Sequence, residues 1–363
     1  MSDVVLDTKQ YKFDELAVKY ANFFSPIFEV HVNGSKISDD IAVTDLRVET
    51  TIESKSESFS LQITNAFDLE KSEFKWLDSF TVGKPILIKA GYLDKLVPVF
   101  NGYITSVICD FPEDGVPAII VRGMDLSFLM MKGAKSNSWE KKKYSDVVKE
   151  IAKKHGAKTK VDDTKEVIGT IAQNQIDDYH FLEHLAGIVN YDFFVVGKTL
   201  YFRKPLTEMS PVITLQWGTS LRSLTVDVNI AEQITGVTVR GWDPKEQKAI
   251  VGESGAITKL GSNSKTGKDI MNSLGKYVEF VLANVGSAAE AKDKADSLLN
   301  KRSMRLISGS GESIGIPEIR AGRYIELAGV GKKHSQPYYI VSATHLIDKD
   351  GYVTRFQLEG NAI

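Results

Sequence analysis

Apolar and polar residues alternate along several short stretches in the first third of the chain. Ile27 to Val32 precedes an Asn33-Gly34 turn, and Leu46 to Ile52 follows. Phe59, Leu61 and Ile63 then alternate with Ser and Gln, and Pro85 to Ala90, Val97 to Cys109 and Ala118 to Arg122 continue the pattern. A period of two, broken by Gly, Asn and Asp turns, predicts short antiparallel strands in a barrel or sandwich. Before them, Leu16, Tyr20, Phe23 and Phe24 share one helical face, in a helix too short to stand without a docking surface.

The period changes after Gly133. Tyr144, Val147, Val148, Ile151 and Ala152 recur at helical spacing between a Ser145 cap and a closing His155-Gly156. A second helix follows, capped by Asp177, with Phe181, Leu182, Leu185, Ala186 and Val189 on one face. Tyr191 to Val196 and Thr199 to Phe202 flank Gly197-Lys198, which predicts a tight hairpin. Together these elements predict a small α/β unit near Lys135 to Pro205.

The last third repeats the first. Leu46-Arg47 to Thr50, running on through Glu57 to Phe67-Asp68, aligns with Leu221-Arg222 to Thr225, running on through Glu232 to Trp242-Asp243. Val82 to Gly91 aligns with Ala321 to Gly329, Tyr103 to Val107 with Tyr339 to Ala343, and Gly115 to Gly123 with Gly351 to Gly360. The second copy carries an insertion from Pro244 to about Glu312. It holds a helix with a Ser287–Glu290 capping box and an apolar face of Ala288, Ala291, Ala295, Leu298 and Leu299.

Composition narrows the function classes. The 363 residues hold 45 basic and 47 acidic side chains, too even a balance to drive nucleic-acid or membrane-surface binding. No run reaches the roughly 18 apolar residues of a membrane span. The start, Met1 to Asp7, shows no basic, apolar secretory leader, so synthesis in the cytoplasm is expected. The one cysteine, Cys109, excludes an intrachain disulfide framework, and its strand context predicts a small buried side chain.

Several residues invite a chemical reading. His180 and His184 have the spacing of a zinc pair, but they fall on the polar side of their helix. His31, His155, His334 and His345 have no local partners in the sequence. Asp177 and Asp178 resemble catalytic carboxylates, yet a helix N-terminus attracts acids without chemistry. Asp110, Glu113 and Asp114 fit a hairpin turn. Gly309 to Gly315 lacks the Gly-Lys-Ser/Thr ending of a phosphate cradle and predicts a loop. Lys141 to Lys143 and Lys153-Lys154 lack interleaved aromatics and predict solvated helix ends. No catalytic, cofactor-binding or metal-binding residue is assigned, and no cofactor is expected.

The stretch Gln173-Asn174-Gln175-Ile176-Asp177-Asp178-Tyr179-His180-Phe181-Leu182-Glu183-His184-Leu185-Ala186, with Asn190 to Phe194 and Gly197 to Phe202, resembles the late control protein D and VgrG-type family. These are baseplate hubs of contractile tails and injection systems. Val30 to Gly34, Asp39-Asp40, and Trp76-Leu77 through Gly83 add to the likeness. Ile176-Asp177 replaces the family's usual Glu-Ser, and His184 stands where Arg is usual.

The resemblance implies a mainly β (α+β) fold. Two tail-tube-like antiparallel β-barrels, 25–133 and 207–243 with 313–363, would be joined by a small α/β helix–hairpin domain, 134–206. Residues 1–24 would form an N-terminal extension, and 244–312 a helical insertion in the second barrel. The implied function is a structural baseplate hub without enzymatic activity: a homotrimer joining a hexameric inner tube to a separate trimeric spike, since VgrG-type chains continue into a spike and this one stops at Ile363. Wedge proteins, a tube initiator and a tape-measure protein complete the implied partners, in a phage tail or tail-like particle. The alternatives are a tail-associated cell-wall hydrolase, with Asp177 and Asp178 as its carboxylates, and a wall-binding protein.

Overall fold

A computed structural model describes residues 4–6, 8–53, 55–244, 246–261 and 265–363. Met1 to Asp3 and Asp7, on which the absence of a leader was read, lie outside the described residues, as do Lys245 and residues 262–264 of the expected insertion. Helix α1 (Phe13–Lys19) docks Leu16 and the following Tyr20 into the main core, each at most 1% exposed. Phe24, expected on the same face, is exposed instead. Positive φ angles from Ala21 to Phe23 turn the chain away before it.

The first β-region comprises β1 (Pro26–Val32), β2 (Ser35–Lys36), β3 (Val43–Thr51) and β4 (Ser58–Ile63), then a small ribbon of β5 (Phe67–Asp68) and β6 (Glu73–Phe74). It ends with β7 (Pro85–Tyr92), β8 (Lys95–Asp110) and β9 (Ala118–Met124). Their alternation is real: β4 buries Phe59, Leu61 and Ile63 and half-exposes the residues between.

After the short α2 (Ser127–Met130) comes the α/β unit. It contains β10 (Lys135–Lys142), α3 (Tyr144–Lys154), β11 (Lys158–Val161), β12 (Ile168–Ile176), α4 (Asp178–Val189), β13 (Asp192–Val196) and β14 (Thr199–Arg203). The Gly197-Lys198 hairpin closes with Val196 opposite Thr199, and β11 adds a parallel strand beside β14. Both helices bury their apolar faces in one core with Trp139, Phe193, Leu200 and Phe202. Ser145 does not cap α3. Lys143 occupies that position without a side-chain capping bond, and Ser145 is buried in the first turn, donating to Asp163 at 3.3 Å.

The last third contains β15 (Pro211–Gln216), β16 (Leu221–Val228), β17 (Gly236–Asp243), β18 (Lys248–Glu253), α5 (Gly267–Leu274), β19 (Val278–Leu282) and α6 (Ala288–Ser303). Four long-range strands follow: β20 (Ile307–Ile314), β21 (Tyr324–Ala328), β22 (Pro337–Asp348) and β23 (Gly351–Gly360). Ser287 caps α6 by accepting from the Glu290 N–H, as the sequence predicts, but the expected reciprocal bond is shifted by one residue: Glu290 accepts from the Gly286 N–H rather than from Ser287. β17 was expected in the second β-region. It pairs instead with β18 and β19, because Val237 and Val239 bury against Ala291, Ala295 and Leu299 of α6. A Cβ on Gly252 would sit 2.2 Å from the Lys292 nitrogen, so glycine lets α6 lie directly on β18.

Gly309 to Gly315, expected to be a loop, forms most of β20, one strand in from the β16 end of the large sheet, with Gly315 directly after it. Glycine serves packing here. A Cβ on Gly311 would meet the Phe356 ring at 2.7 Å, and one on Gly315 the Tyr352 ring at 2.1 Å.

The protein is mainly β, and thirteen strands form one predominantly antiparallel sheet. Its main path is β16-β20-β23-β22-β3-β4-β9-β8-β7-β1-β2, with β15 and β21 attached through β22. A single large core draws on both β-regions. Within the sheet the order β3-β4-β9-β8-β7-β1 recurs as β16-β20-β23-β22-β21-β15. Irregularities recur too. β8 and β22 shift register after Ile104 and Ile340, and β3 and β16 after Val43 and Leu221. Tyr103 and Tyr339 are therefore equivalent, as the sequence alignment has them. Leu46, however, corresponds to Leu224: the Leu46/Leu221 alignment is three residues out of step, and Glu232 is not the counterpart of Glu57. A repeat disguised by an insertion is easily misaligned when only alternation guides it. The outermost pairs also differ, β1 running antiparallel to β7 but β15 parallel to β21.

Candidate functional site

The two β-regions meet where β3 pairs with β22, from Leu46 opposite Ile347 to Thr51 opposite Ser342. The inward residues of this joint, Val48, Thr50, Ala343 and His345, are all buried, at most 2% exposed. Thr50 donates to the Ala343 carbonyl and accepts from the Ala321 N–H, each at 3.2 Å. His345 shares a hydrogen bond with Tyr352 at 2.8 Å. Burial, with the positive Arg320 nearby, pushes its pKa down to about 3, so the imidazole is neutral.

Behind the joint, Arg320 of the second β-region reaches Glu57 of the first. Its Nη2 lies 2.7 and 2.6 Å from the two carboxylate oxygens, while Nη1 donates to the Val99 carbonyl at 2.6 Å. Burial raises the Glu57 pKa despite Arg320. Asp125 sits beside it, accepting from the Glu57 N–H at 3.3 Å and from the Ser127 N–H at 2.9 Å. Burial, and then the Glu57 charge, push Asp125 up to about 8. The guanidinium thus holds the Glu57 carboxylate, while Asp125 binds the Glu57 backbone and has no contact with Arg320 among those described.

A second contact ties the α/β unit to the second β-region. Arg203 donates to the Gly322 carbonyl at 2.6 Å, and the Tyr339 hydroxyl donates to Asp192 at 3.0 Å. These features couple three units rather than open a space for a substrate.

The prominent Gln173–Phe202 stretch has the same character. Asp177 caps α4, accepting from the His180 N–H at 3.0 Å and pairing with its ring at 2.7 Å. Burial raises the Asp177 pKa, but these two bonds outweigh it and hold the carboxyl below its usual range. Asp178 is 2% exposed and gathers Lys135 of β10, His155 at the end of α3 (2.7 Å) and Gln173 of β12 (3.0 Å). Its burial is likewise outweighed, by Lys135, His155 and Gln173 in that order. The two acids are therefore a cap and a buried anchor. His155, read as partnerless, belongs to this anchor, and only the tertiary fold brings its ring to Asp178.

The remaining candidates are dispersed. His180 and His184 are exposed on α4, and no group of three or more His, Cys, Asp or Glu side chains that could hold a metal ion occurs among the described residues. His31 pairs with Glu29 at 3.0 Å, and His334 lies in the turn before β22. Asp110, Glu113 and Asp114 are exposed around the β8–β9 turn. Lys142 pairs with Glu150, and Lys143 with Asp163 at 3.0 Å. Cys109 lies in a strand as expected, but it is exposed rather than buried, since its stretch of β8 has a neighbour on one side only among the described residues.

A cleft of about 440 Å³ separates α6 from the Glu166 loop, with Tyr144, Tyr191, Asp293 and Ser297 in its wall. Burial, then a hydrogen bond with Glu290 and its charge, push Glu166 up to about 7. Ser287 at the start of α6 donates to Glu166 at 3.3 Å, so loop and helix meet at this end of the cleft.

The fold is that of tail proteins. A 43 kDa tail protein of prophage MuSo2 from Shewanella oneidensis is 14% identical, with a TM-score of 0.69 over 92% of this chain and 98% of that one. A tail protein from Neisseria meningitidis MC58 is also 14% identical, with a TM-score of 0.66 over 93% and 97%. An Escherichia coli component of the type VI secretion system is 11% identical, with a TM-score of 0.57 over 91% and 76%. No curated protein sequence matches. The family model described as the Alg8 N-terminal domain matches residues 25–349, and the chain belongs to that family.

Proposed function

We propose that this protein is a structural baseplate hub of a contractile tail or injection particle. It would act as a homotrimer, seating a hexameric inner tube on one side and a separate trimeric spike on the other. Residues 25–133 and the paired segments of the last third would serve as two tube-like domains, with the α/β unit between them. The observation that carries this reading is the duplicated strand order, six strands repeated with their bulges, in a chain with a tail-protein fold. Three chains with two similar domains each offer six similar surfaces, which reconciles threefold and sixfold partners. A passive adaptor needs buried locks such as Glu57–Arg320 and no turnover. It would be made in the cytoplasm and assembled into the particle with tube, spike and wedge proteins, and no described helix is long and apolar enough to cross a membrane.

The test is solution mass together with imaging of the protein co-expressed with the tube and spike proteins of the same particle. A trimer of the 40.2 kDa chain bound to both is expected. A chain that stays monomeric alone and with those partners overturns the reading.

A further inference from the structure

We propose that the outer face of the three-stranded sheet β18-β17-β19 docks an amphipathic helix of another protein, one whose apolar stripe carries a carboxylate. That this protein belongs to the same particle rests on the hub reading; the chemistry of the surface does not.

The sheet is covered on one side. Side chains alternate between its faces, and Val237, Val239 and Ile250 turn inward onto α6. The pairing registers then place Arg240 and Trp242 of β17, Val251 of β18, and Phe280 and Leu282 of β19 together on the opposite face. A sheet with one solvated face ordinarily presents polar residues there. Here Trp242 is 59% exposed, Phe280 64%, Leu282 88% and Val251 43%. Leu282, Arg240 and Val251 stand in one row across the three strands, with Phe280 in the row before and Trp242 in the row after. Four large apolar side chains thus surround a single cation, and contiguous exposed apolar surface of this kind marks an interaction site.

Arg240 fixes the chemistry of the occupant. Its guanidinium lies 5.0 Å from the centre of the Phe280 ring, and among the described residues no carboxylate pairs with it. Glu253 shares the face one row away without forming an ion pair to it. A purely apolar cover would bury an unpaired cation, which is costly. A carboxylate set among apolar side chains satisfies the guanidinium and the ring of apolar residues together.

A second copy of the chain does not fit. Two such faces meeting would set guanidinium against guanidinium, and a copy has no helix to offer. Among the described helices the large apolar residues left exposed are Val18 of α1 and Leu274 of α5, one on each, which is no stripe. The inner face shows which layer this sheet accepts, since α6 lies along it. An amphipathic helix supplies apolar anchors at i, i+3, i+4 and i+7, with a place for one acid among them.

Full-length protein with the photo-crosslinker p-benzoylphenylalanine in place of Phe280, or of Leu282, is irradiated in cells co-expressing the other tail proteins of the same particle. Crosslinked peptides are identified by mass spectrometry. The expected product joins either position to a segment of a different protein, with apolar residues at helical spacing and an Asp or Glu among them. Lysine in place of that acid should lower the yield about tenfold or more, and Arg240→Glu should restore it. Crosslinks to a second copy alone, to a segment without an acid, or indifferent to the charge swap overturn the proposed occupant. The same product in equal yield from a crosslinker in place of Gly169, in the α/β unit, overturns the site. A trimer bound to tube and spike that gives no crosslink from either position overturns the docking surface and leaves the hub reading standing. The expected product from a chain that never trimerises keeps the surface and overturns the hub, and neither trimer nor crosslink overturns both.

Discussion

Glu57 and Arg320 lie 263 residues apart in sequence and meet as a buried ion pair, Arg320 Nη2 within 2.7 Å of both carboxylate oxygens. The side chains are 3% and 6% exposed, so neither charge can fall back on water. Breaking such a pair from one side leaves a buried charge, whereas replacing both partners removes the desolvation cost as well.

Glu57→Ala or Arg320→Ala should therefore destabilise the protein by about 3–5 kcal/mol. Glu57→Leu combined with Arg320→Met should cost clearly less than either truncation. Urea unfolding of the two single variants and the double variant checks this, and additive losses would contradict it.

Asp125 supplies a pH dependence on the alkaline side. Its folded pKa is pushed up to about 8 by burial and by Glu57, far above the ordinary carboxylate. The folded state holds a proton that the unfolded chain gives up near pH 4. The stabilising share is thus full below that range and is lost as pH rises through about 8. Asp125→Asn should flatten the fall in urea midpoint between pH 6 and 9, as measured by circular dichroism.

His345 acts on the acid side. Its folded pKa is depressed to about 3, so between that value and about 6.5 the unfolded imidazole binds a proton that the folded one refuses. Stability from this residue is present at neutral pH and falls as pH drops below about 6.5. His345→Gln should make the acid limb of the unfolding curve shallower, and an unchanged limb would contradict the burial of the ring.

Asp177 and Asp178 are adjacent yet should respond differently. Asp177→Ala removes one helix cap and should cost about 1 kcal/mol. Asp178→Ala strips Lys135, His155 and Gln173 of a shared acceptor, and should cost roughly 2–3 kcal/mol or more. Denaturant titration of the two variants decides the order.

Gly315→Ala places a methyl 2.1 Å from the Tyr352 ring and Gly311→Ala one 2.7 Å from Phe356, whereas nothing lies within 4 Å of a Cβ on Gly169. The two sheet variants should lose about 1–3 kcal/mol by overpacking. Gly169→Ala should be neutral or slightly stabilising in the same thermal melt.

Much of the architecture is legible in local pattern. Phe59, Leu61 and Ile63 alternate because one face of β4 is buried, and Asp177 precedes α4 because a helix start needs an acceptor. The Gly197-Lys198 turn and the Ser287–Glu290 cap are equally local. β17 misled because a strand at a helix-covered surface alternates like one in a large sheet. Gly309 to Gly315 misled because the reason for its glycines, the rings of Phe356 and Tyr352, lies more than 30 residues away in sequence.

The chain's sequence by itself determined most element types, the helix–hairpin unit, the existence of a repeat and the even charge balance, since period, caps and turns act over a few residues. Only the tertiary structure decided that Glu57 meets Arg320, that His155 meets Asp178, that β3 joins β22, and that Cys109 stands on an open edge. Burial of a charge and choice of a strand partner are long-range events. Their free energy depends on which groups arrive together from distant segments, and no local period records that.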